Sequence, residues 1–339
     1  MSNDLDQHVK DLHGSSVIFD GHCDTLIPIR DGDRRLNERC EPLPEGSVTG
    51  SRHVDLPRLL EGGMTAQTFA CFVRGQFLPS DATNEALRLI DAFYCALDGN
   101  SETLMLATRA ADVERAKAKG KVAGVLSLEG AEALEGDLAM LRAFHRLGVR
   151  ALGLTWNWRN QAADGLGESR TGGGLTEFGV ALVKEANRLG VILDVAHLAP
   201  AGVRDVLKLS ESPVVASHAN ARALCSHSRN LTDEQMEGLA ASGGLIAVTC
   251  VPSFLAEDPK AASLETLLDH IDYIVKTVGV NHVGLGSDFD GFGGVLPGLE
   301  DVSRLPALTA GLVARGYSDA DVAKILGGNY LRVFRQVAG

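Results

Sequence analysis

Six side chains of this sequence have the chemistry to hold a divalent cation, and each sits where an apolar run ends. In "VIFDGHCDTL" the run closes on His22 and Asp24, two residues apart, a spacing that turns both to one side of an extended chain. "KVAGVLSLEG" closes on Glu129, "VILDVAH" on His197, "PVVASH" on His218 and "HVGLGSD" on Asp288. Taken singly, each has a plainer role. A lone strand-end histidine is commonly a surface or core residue, Glu129 could cap a helix, and Asp288 could open an Asx-turn in "SDFDG". Taken together they are costly to bury unless a cation neutralises them. Imidazole and carboxylate without thiolate suit Zn2+, and after it Mn2+, Co2+ or Fe2+. Five ligands (His22, Asp24, Glu129, His197 and His218) exceed what one tetrahedral ion with an open position requires. Two ions roughly 3.5–4 Å apart, sharing a carboxylate, fit better, and water held between them would ionise near pH 7 to become a nucleophile. Cys23 is turned the other way by alternation, and the other seven histidines (His8, His13, His53, His145, His227, His270, His282) read as structural or exposed.

The runs that carry these residues recur in a regular order. Strand-like segments at 17–24, 64–73, 121–130, 149–157, 191–197, 213–218, 244–250 and 282–288 alternate with segments of helical spacing. Among the latter, Leu87, Ile90, Phe93, Tyr94 and Leu97 recur at three- and four-residue steps, and Thr232 with Gln235 forms a capping-box pattern. Helices ending at Gly190 and Gly279 complete the picture. Apolar strands alternating with amphipathic helices predict a parallel sheet covered on both faces. Eight such units predict an α/β protein, a closed (β/α)8 TIM-type barrel, ahead of an open doubly wound sheet. A barrel gathers the C-terminal ends of its strands around one mouth, where such folds place their chemistry.

Composition narrows the partners. The chain has 339 residues and a formal charge of −12, with no basic stripe, so nucleic acid is not expected as a partner. The N-terminal segment has no apolar core of a signal peptide, and no apolar run approaches the roughly 18 residues of a spanning helix. Six scattered cysteines without CxxC spacing predict reduced thiols and a cytoplasmic protein. We expect one domain over 1–339, with a long polar loop, 28–63, after the first strand. Its arginines (Arg30, Arg34, Arg35, Arg39) read as a solvated surface rather than an acid-binding patch, and the glycines of "TGGGLTEFG" as a loop entering a capped helix rather than a phosphate cradle.

Several motifs in order, "DGHCDTL", "SLEGAEAL", "LDVAHLA", "ASHANARALCSHSRNLTDE", "GLGSDFDG" and the tail from "PGLEDVSRLPALTAG" onward, resemble the membrane (renal-type) dipeptidases, peptidase family M19. The resemblance runs from about residue 15 to 335 and implies a metal-dependent barrel hydrolase of the amidohydrolase-like group with two zinc ions. It implies His22 and Asp24 as ligands of one zinc, His197 and His218 as ligands of the other, and Glu129 as the bridge. Asp288 takes the place of the acid/base, and Arg229 that of the group holding the substrate's terminal carboxylate, a task suited to a guanidinium fork. Where the mammalian members have a histidine in a Thr-His-Asn motif, this chain has Trp156 in "LTWN". An indole donates one hydrogen bond but carries no proton charge, so Trp156 either assists the substrate weakly or only walls the pocket. The implied activity is proteolysis of short peptides, dipeptides and L-Xaa-D-Xaa among them. A lactam, cyclic amide or ester substrate for the same site is the alternative, and a non-catalytic peptide- or metal-binding barrel is the remote one. A homodimer is in keeping with the family, and a lipid anchor is not expected.

Overall fold

The computed structural model describes residues 2–41 and 52–339. Among the described residues there are nine parallel strands: β1 (Phe19–Cys23), β2 (Ala66–Phe72), β3 (Leu104–Leu106), β4 (Val122–Glu129), β5 (Val149–Gly153), β6 (Ile192–Asp194), β7 (Val214–Ala216), β8 (Leu245–Val248) and β9 (Val283–Leu285). The sheet runs β2-β1-β9-β8-β7-β6-β5-β4, and β2 pairs with β4 from Ala66↔Ala123 to Phe72↔Glu129, which closes the ring. The eight barrel strands are the eight apolar runs, and the fold is a (β/α)8 barrel. The open-sheet alternative has no free edge between β2 and β4 to stand on.

The ninth strand was not foreseen. Leu104–Leu106 pairs with the first half of β4, Leu104↔Val122 to Leu106↔Gly124, while β5 pairs with the second half. β4 reaches below the end of β5, and the short strand takes up backbone groups otherwise left open.

Alternation along β4 shows how the sequence assigns inside and outside. Ala123 and Val125 join a core with Phe19, Ile192, Val215 and Leu245, whereas Val122, Leu126 and Leu128 pack in the larger core that includes the surrounding helices. Glu129 shares the parity of Ala123 and Val125 and therefore faces the barrel axis. The bottom is plugged by the C-terminal helix Asn329–Ala338, whose Tyr330 stacks on Phe19 at 4.4 Å between ring centroids. With its lower end filled by apolar side chains, the barrel leaves the strand C-termini as the opening.

The connection after β1 is more ordered than a polar loop. It holds helices Leu26–Arg30 and Leu56–Glu61, the second capped by Asp55, which accepts the Arg58 N–H, and started by Pro57. The part of the expected 28–63 loop from 42 to 51 lies outside the described residues. Arg30, Arg34, Arg35 and Arg39 are each ion-paired, with Glu85 and Asp31, Asp290, Glu38 and Glu61 respectively. "TGGGLTEFG" leads into the helix Glu177–Leu189, whose N-cap Thr176 accepts the Gly179 N–H. The Thr232–Gln235 capping box forms, and all six cysteines are free thiols. Among the described residues no helix is long and apolar enough to cross a membrane.

Candidate active site

The polar strand ends converge at the mouth. Backbone bonds from Asp288 N to His22 O (3.2 Å) and from Asp24 N to Phe289 O (3.0 Å) continue the β1–β9 pairing past both strands and set Asp24 beside Asp288. His22 Nε2 stands 3.6 Å from Asp24 Oδ2, 3.5 Å from Glu129 Oε2 and 3.8 Å from Asp288 Oδ1. Across the mouth, Glu129 Oε1 lies 3.1 Å from His197 Nε2 and 3.9 Å from His218 Nε2. Glu129 thus faces His22 with one oxygen and the His197–His218 pair with the other. Cys23 packs in the outer core instead, its Sγ 3.3 Å from the Thr25 hydroxyl oxygen.

Most of these groups sit beyond the regular strands, where period-two alternation no longer applies. His197 follows the end of β6 by three residues and Asp288 that of β9 by three, and both have left-handed backbones, φ 68° and 62°. Non-glycine residues rarely adopt that region, and its cost is commonly met at functional positions. Gly291 is required by close approach: a Cβ there would lie 2.2 Å from Asp288 Oδ1 and 2.3 Å from Asp24 Oδ2.

Burial sets the electrostatics. It pushes Asp288 up to about 8, with Asp24 and Glu129 adding to the rise and His22 and Arg229 opposing it. It likewise raises Asp24 to about 6, with Glu129 adding to it. It lowers His197 to about 3, helped by Arg229, and takes His218 well below the usual imidazole range, helped by His22. For Glu129 burial acts upward but is outweighed by His22 and His197, so its carboxyl falls below the ordinary range. Burial would also lower His22, yet Glu129 and Asp24 raise it well above its ordinary value. Mutual perturbation of this kind among buried groups clusters at functional sites.

The residues fit a divalent cation. His22 Nε2, Asp24 Oδ1 and Glu129 Oε2 are buried with no hydrogen-bond partner among the described residues, a state that proteins otherwise avoid. Ligand atoms of His22, Glu129 and His218 lie within 4.8 Å of one another, as do those of His22, Asp24 and Asp288. The donors are imidazole and carboxylate oxygen throughout, as zinc and its neighbours prefer.

Sequence reasoning missed the residues behind the ring. Asn157 Oδ1 accepts from His197 Nδ1 at 2.8 Å, and Ser217 Oγ lies 2.7 Å from His218 Nδ1. Asp20 and Asp194 are buried carboxylates within apolar runs, and that incongruity was the available signal. Asp290 accepts from Thr25 Oγ1 and His53 N and pairs with Arg34, tying the post-β1 connection to the Asp288 loop.

A cavity of about 330 Å³ opens over the site, walled by Ile27, Phe72, Trp156, Val251 and Phe254. Arg229 lines it, is only 7% exposed, and has no ion-pair partner among the described residues; its guanidinium carbon stands 5.5 Å from the centre of the Phe254 ring. The Trp156 ring lies 5.1 Å from Phe72 and 5.8 Å from His197. A larger depression of about 840 Å³, lined by Arg30, Arg34, Arg35 and Arg88, lies outside the mouth. It is lined by none of the converging side chains.

A parallel barrel with imidazoles and carboxylates crowded at its C-terminal mouth defines a metal-dependent hydrolase. The chain belongs to the membrane dipeptidase family, peptidase family M19, whose model matches residues 6–339, and it is a peptide-bond hydrolase. It is 35% identical to the dipeptidase tcpJ of Claviceps purpurea over 328 residues, 94% of this chain and 76% of that protein. A metallo peptidase from Rhodobacter sphaeroides, solved with a phosphinate mimic of the dipeptide L-Ala-D-Ala, superposes with a TM-score of 0.85 at 34% identity, covering 95% of this chain and 100% of that one. The probable dipeptidase PvdM from Pseudomonas aeruginosa superposes at 0.86 and 28% identity, covering 100% and 99%.

Proposed function

We propose that the chain is a binuclear zinc dipeptidase that cleaves free dipeptides, L-Xaa-D-Xaa substrates among them. One observation carries the reading: Glu129 divides its two oxygens between His22 and the His197–His218 pair, on the floor of a cavity lined by an arginine with no ion-pair partner among the described residues. His22 and Asp24 would hold one ion, His197 and His218 the other, with Glu129 shared. When bound, such a pair supplies Lewis-acid charge and an ionised water near neutral pH.

The remaining work falls to the chain itself. Arg229 receives the substrate's terminal carboxylate, whose charge offsets that of a guanidinium already stripped of water by burial. That anchor limits the substrate to peptides whose carboxylate lies close to the scissile bond. Asp288, beside Asp24 on the floor with its Oδ1 3.8 Å from His22 Nε2, is the carboxyl placed to pass a proton to the departing amine. Ile27, Phe72, Trp156 and Phe254 enclose the side chains and exclude water. The indole N–H of Trp156 has no protein acceptor among the described residues, which leaves it free to meet the peptide carbonyl. The mimic of L-Ala-D-Ala held by the Rhodobacter peptidase supports including D-residues at the second position.

The test is a hydrolysis screen of L-L, L-D and D-D dipeptides and their C-terminal amides on metal-replete protein, with elemental analysis of the same sample. Two equivalents of zinc, with turnover of free dipeptides over amides, are expected. Equal rates on amides, lactams or esters would remove the dipeptidase assignment.

A further inference from the structure

One direction of hydrogen bonding runs through Asp194, Ser217 and His218. Asp194 Oδ1 accepts the Ala196 N–H at 3.0 Å and the Ser217 N–H at 2.9 Å, and its Oδ2 accepts the Ser217 hydroxyl. Three donors converge on this carboxylate, which closes β6 and is buried beneath the site. A serine hydroxyl has a single proton. Because that proton goes to Asp194, Ser217 Oγ faces His218 Nδ1, 2.7 Å away, with a lone pair. The imidazole must therefore donate from Nδ1. Its Nε2 is left as a bare lone pair 2.9 Å from His197 Nε2, whose own Nδ1 is committed to Asn157.

We propose that Asp194 and Ser217 are positioning residues that lock His218 in its Nδ1–H tautomer, so that Nε2 is presented to a cation. The proposal rests on the metal-site reading above. Outer partners of this kind fix the ring and tautomer of a metal-binding histidine.

The same device occurs a second time without an imidazole at its end. Asp20 Oδ1 accepts the Ser287 N–H at 2.7 Å and its Oδ2 accepts the Ser287 hydroxyl, and Ser287 directly precedes Asp288. In both copies an aspartate on one strand grips the serine that precedes a working residue at the end of the neighbouring strand. Only the Asp194 copy touches a ring nitrogen. Asp20 is therefore an internal control for the part of the effect that is merely structural.

Asp194→Asn separates the two roles, because it keeps the shape and reverses the polarity. The amide oxygen still accepts the two backbone N–H groups, but its NH2 now faces Ser217 Oγ, which must accept. The serine proton then turns to His218 Nδ1, and the imidazole proton moves to Nε2. Ser217→Ala removes the relay without reversing it.

The full-length chain, with 15N-labelled histidine and stripped of metal, is examined by NMR at pH 7.5, and His218 is assigned through its loss in His218→Gln. Wild type is expected to show a protonated Nδ1 and a bare Nε2, Asp194→Asn the reverse, and Asp20→Asn no change at His218. Zn2+ affinity, measured against a chelator, should weaken by roughly 10–100-fold in Asp194→Asn and less in Ser217→Ala. The double variant Asp194→Asn/Ser217→Ala should bind better than Asp194→Asn alone, since the misdirected hydroxyl is gone. A wild-type His218 protonated at Nε2, an unchanged tautomer in Asp194→Asn, or a double variant no better than the single one would each overturn the relay. A wild-type protein with the expected tautomer that takes up no Zn2+ would instead sink the metal reading and leave the relay standing.

Discussion

Glu129 and His22 stand 3.5 Å apart, Oε2 to Nε2, both buried, and neither atom has a hydrogen-bond partner among the described residues. Orphaned buried groups cost roughly 1–3 kcal/mol each, more when charged. A cation between them turns that cost into ligation. Chelation is therefore expected to abolish turnover and lower the melting temperature, with both recovering as Zn2+ is returned. At free metal 100 times its Kd, the stabilisation is about 2.7 kcal/mol. Calorimetry across a zinc titration measures it, and a melting temperature indifferent to chelator would contradict the proposed site.

The Asp288 carboxyl is pushed up to about 8 by burial and stands beside Asp24 over a glycine that leaves no room for a Cβ. Asp288→Asn preserves the shape but cannot exchange a proton. Metal content should stay near that of the wild type while kcat falls by roughly 10²–10⁴, the usual worth of a general acid–base. Elemental analysis and steady-state kinetics on one preparation decide it. Lost metal would make Asp288 a ligand first and a proton carrier second.

Much of this site could be read from the chain because apolar runs are conspicuous and their polar ends stand out. His22 and Asp24 were placed on one side by simple alternation, and they do meet at 3.6 Å. The rest depends on contacts no local pattern encodes. Leu104–Leu106 is too short to show a period and exists only because β4 offers it an open edge. Asn157 and Ser217 matter through partners forty residues away and next door, respectively, and only the folded chain reveals which ring nitrogen each one meets. His197 and Asp288 are of residue types that enter the left-handed region more readily than most, yet no local pattern marks which His or Asp will adopt it.

Arg229 predicts how the enzyme distinguishes its substrates. A buried guanidinium with no ion-pair partner among the described residues gains most from a ligand that brings one. Arg229→Lys keeps the charge but loses the fork, and should weaken recognition of a free dipeptide by about 1.5–3 kcal/mol, or roughly 10–150-fold in kcat/KM. The same substitution should leave the slow turnover of a dipeptide amide nearly unchanged. Equal losses on both substrates would show that Arg229 supports the fold of the mouth rather than the carboxylate.

His270 makes the stability of the fold sensitive to acid through a ring that is not part of the proposed metal site. Burial lowers its pKa, against the opposing effects of the Leu255 carbonyl and Asp269. Its ring is also fixed from both sides: Nδ1 accepts the Ala221 N–H at 3.1 Å, and Nε2 donates to Leu255 O at 3.1 Å. A proton on Nδ1 would break the first bond. The unfolded chain binds that proton near pH 6.5 and the folded chain only at lower pH, so unfolding is favoured as pH falls through this window. The stability this neutral ring contributes is fully present above about pH 6.5 and declines below it, by at most about 1.4 kcal/mol per pH unit. His270→Asn keeps an acceptor for Ala221 but cannot titrate. Urea unfolding at pH 7.5, 6.5 and 5.5, with chelator present throughout, should show a shallower pH slope for the variant than for wild type. Because the histidines of the proposed metal site are the same in both proteins, the difference in slope isolates His270, and parallel slopes would remove it as the acid-sensitive group.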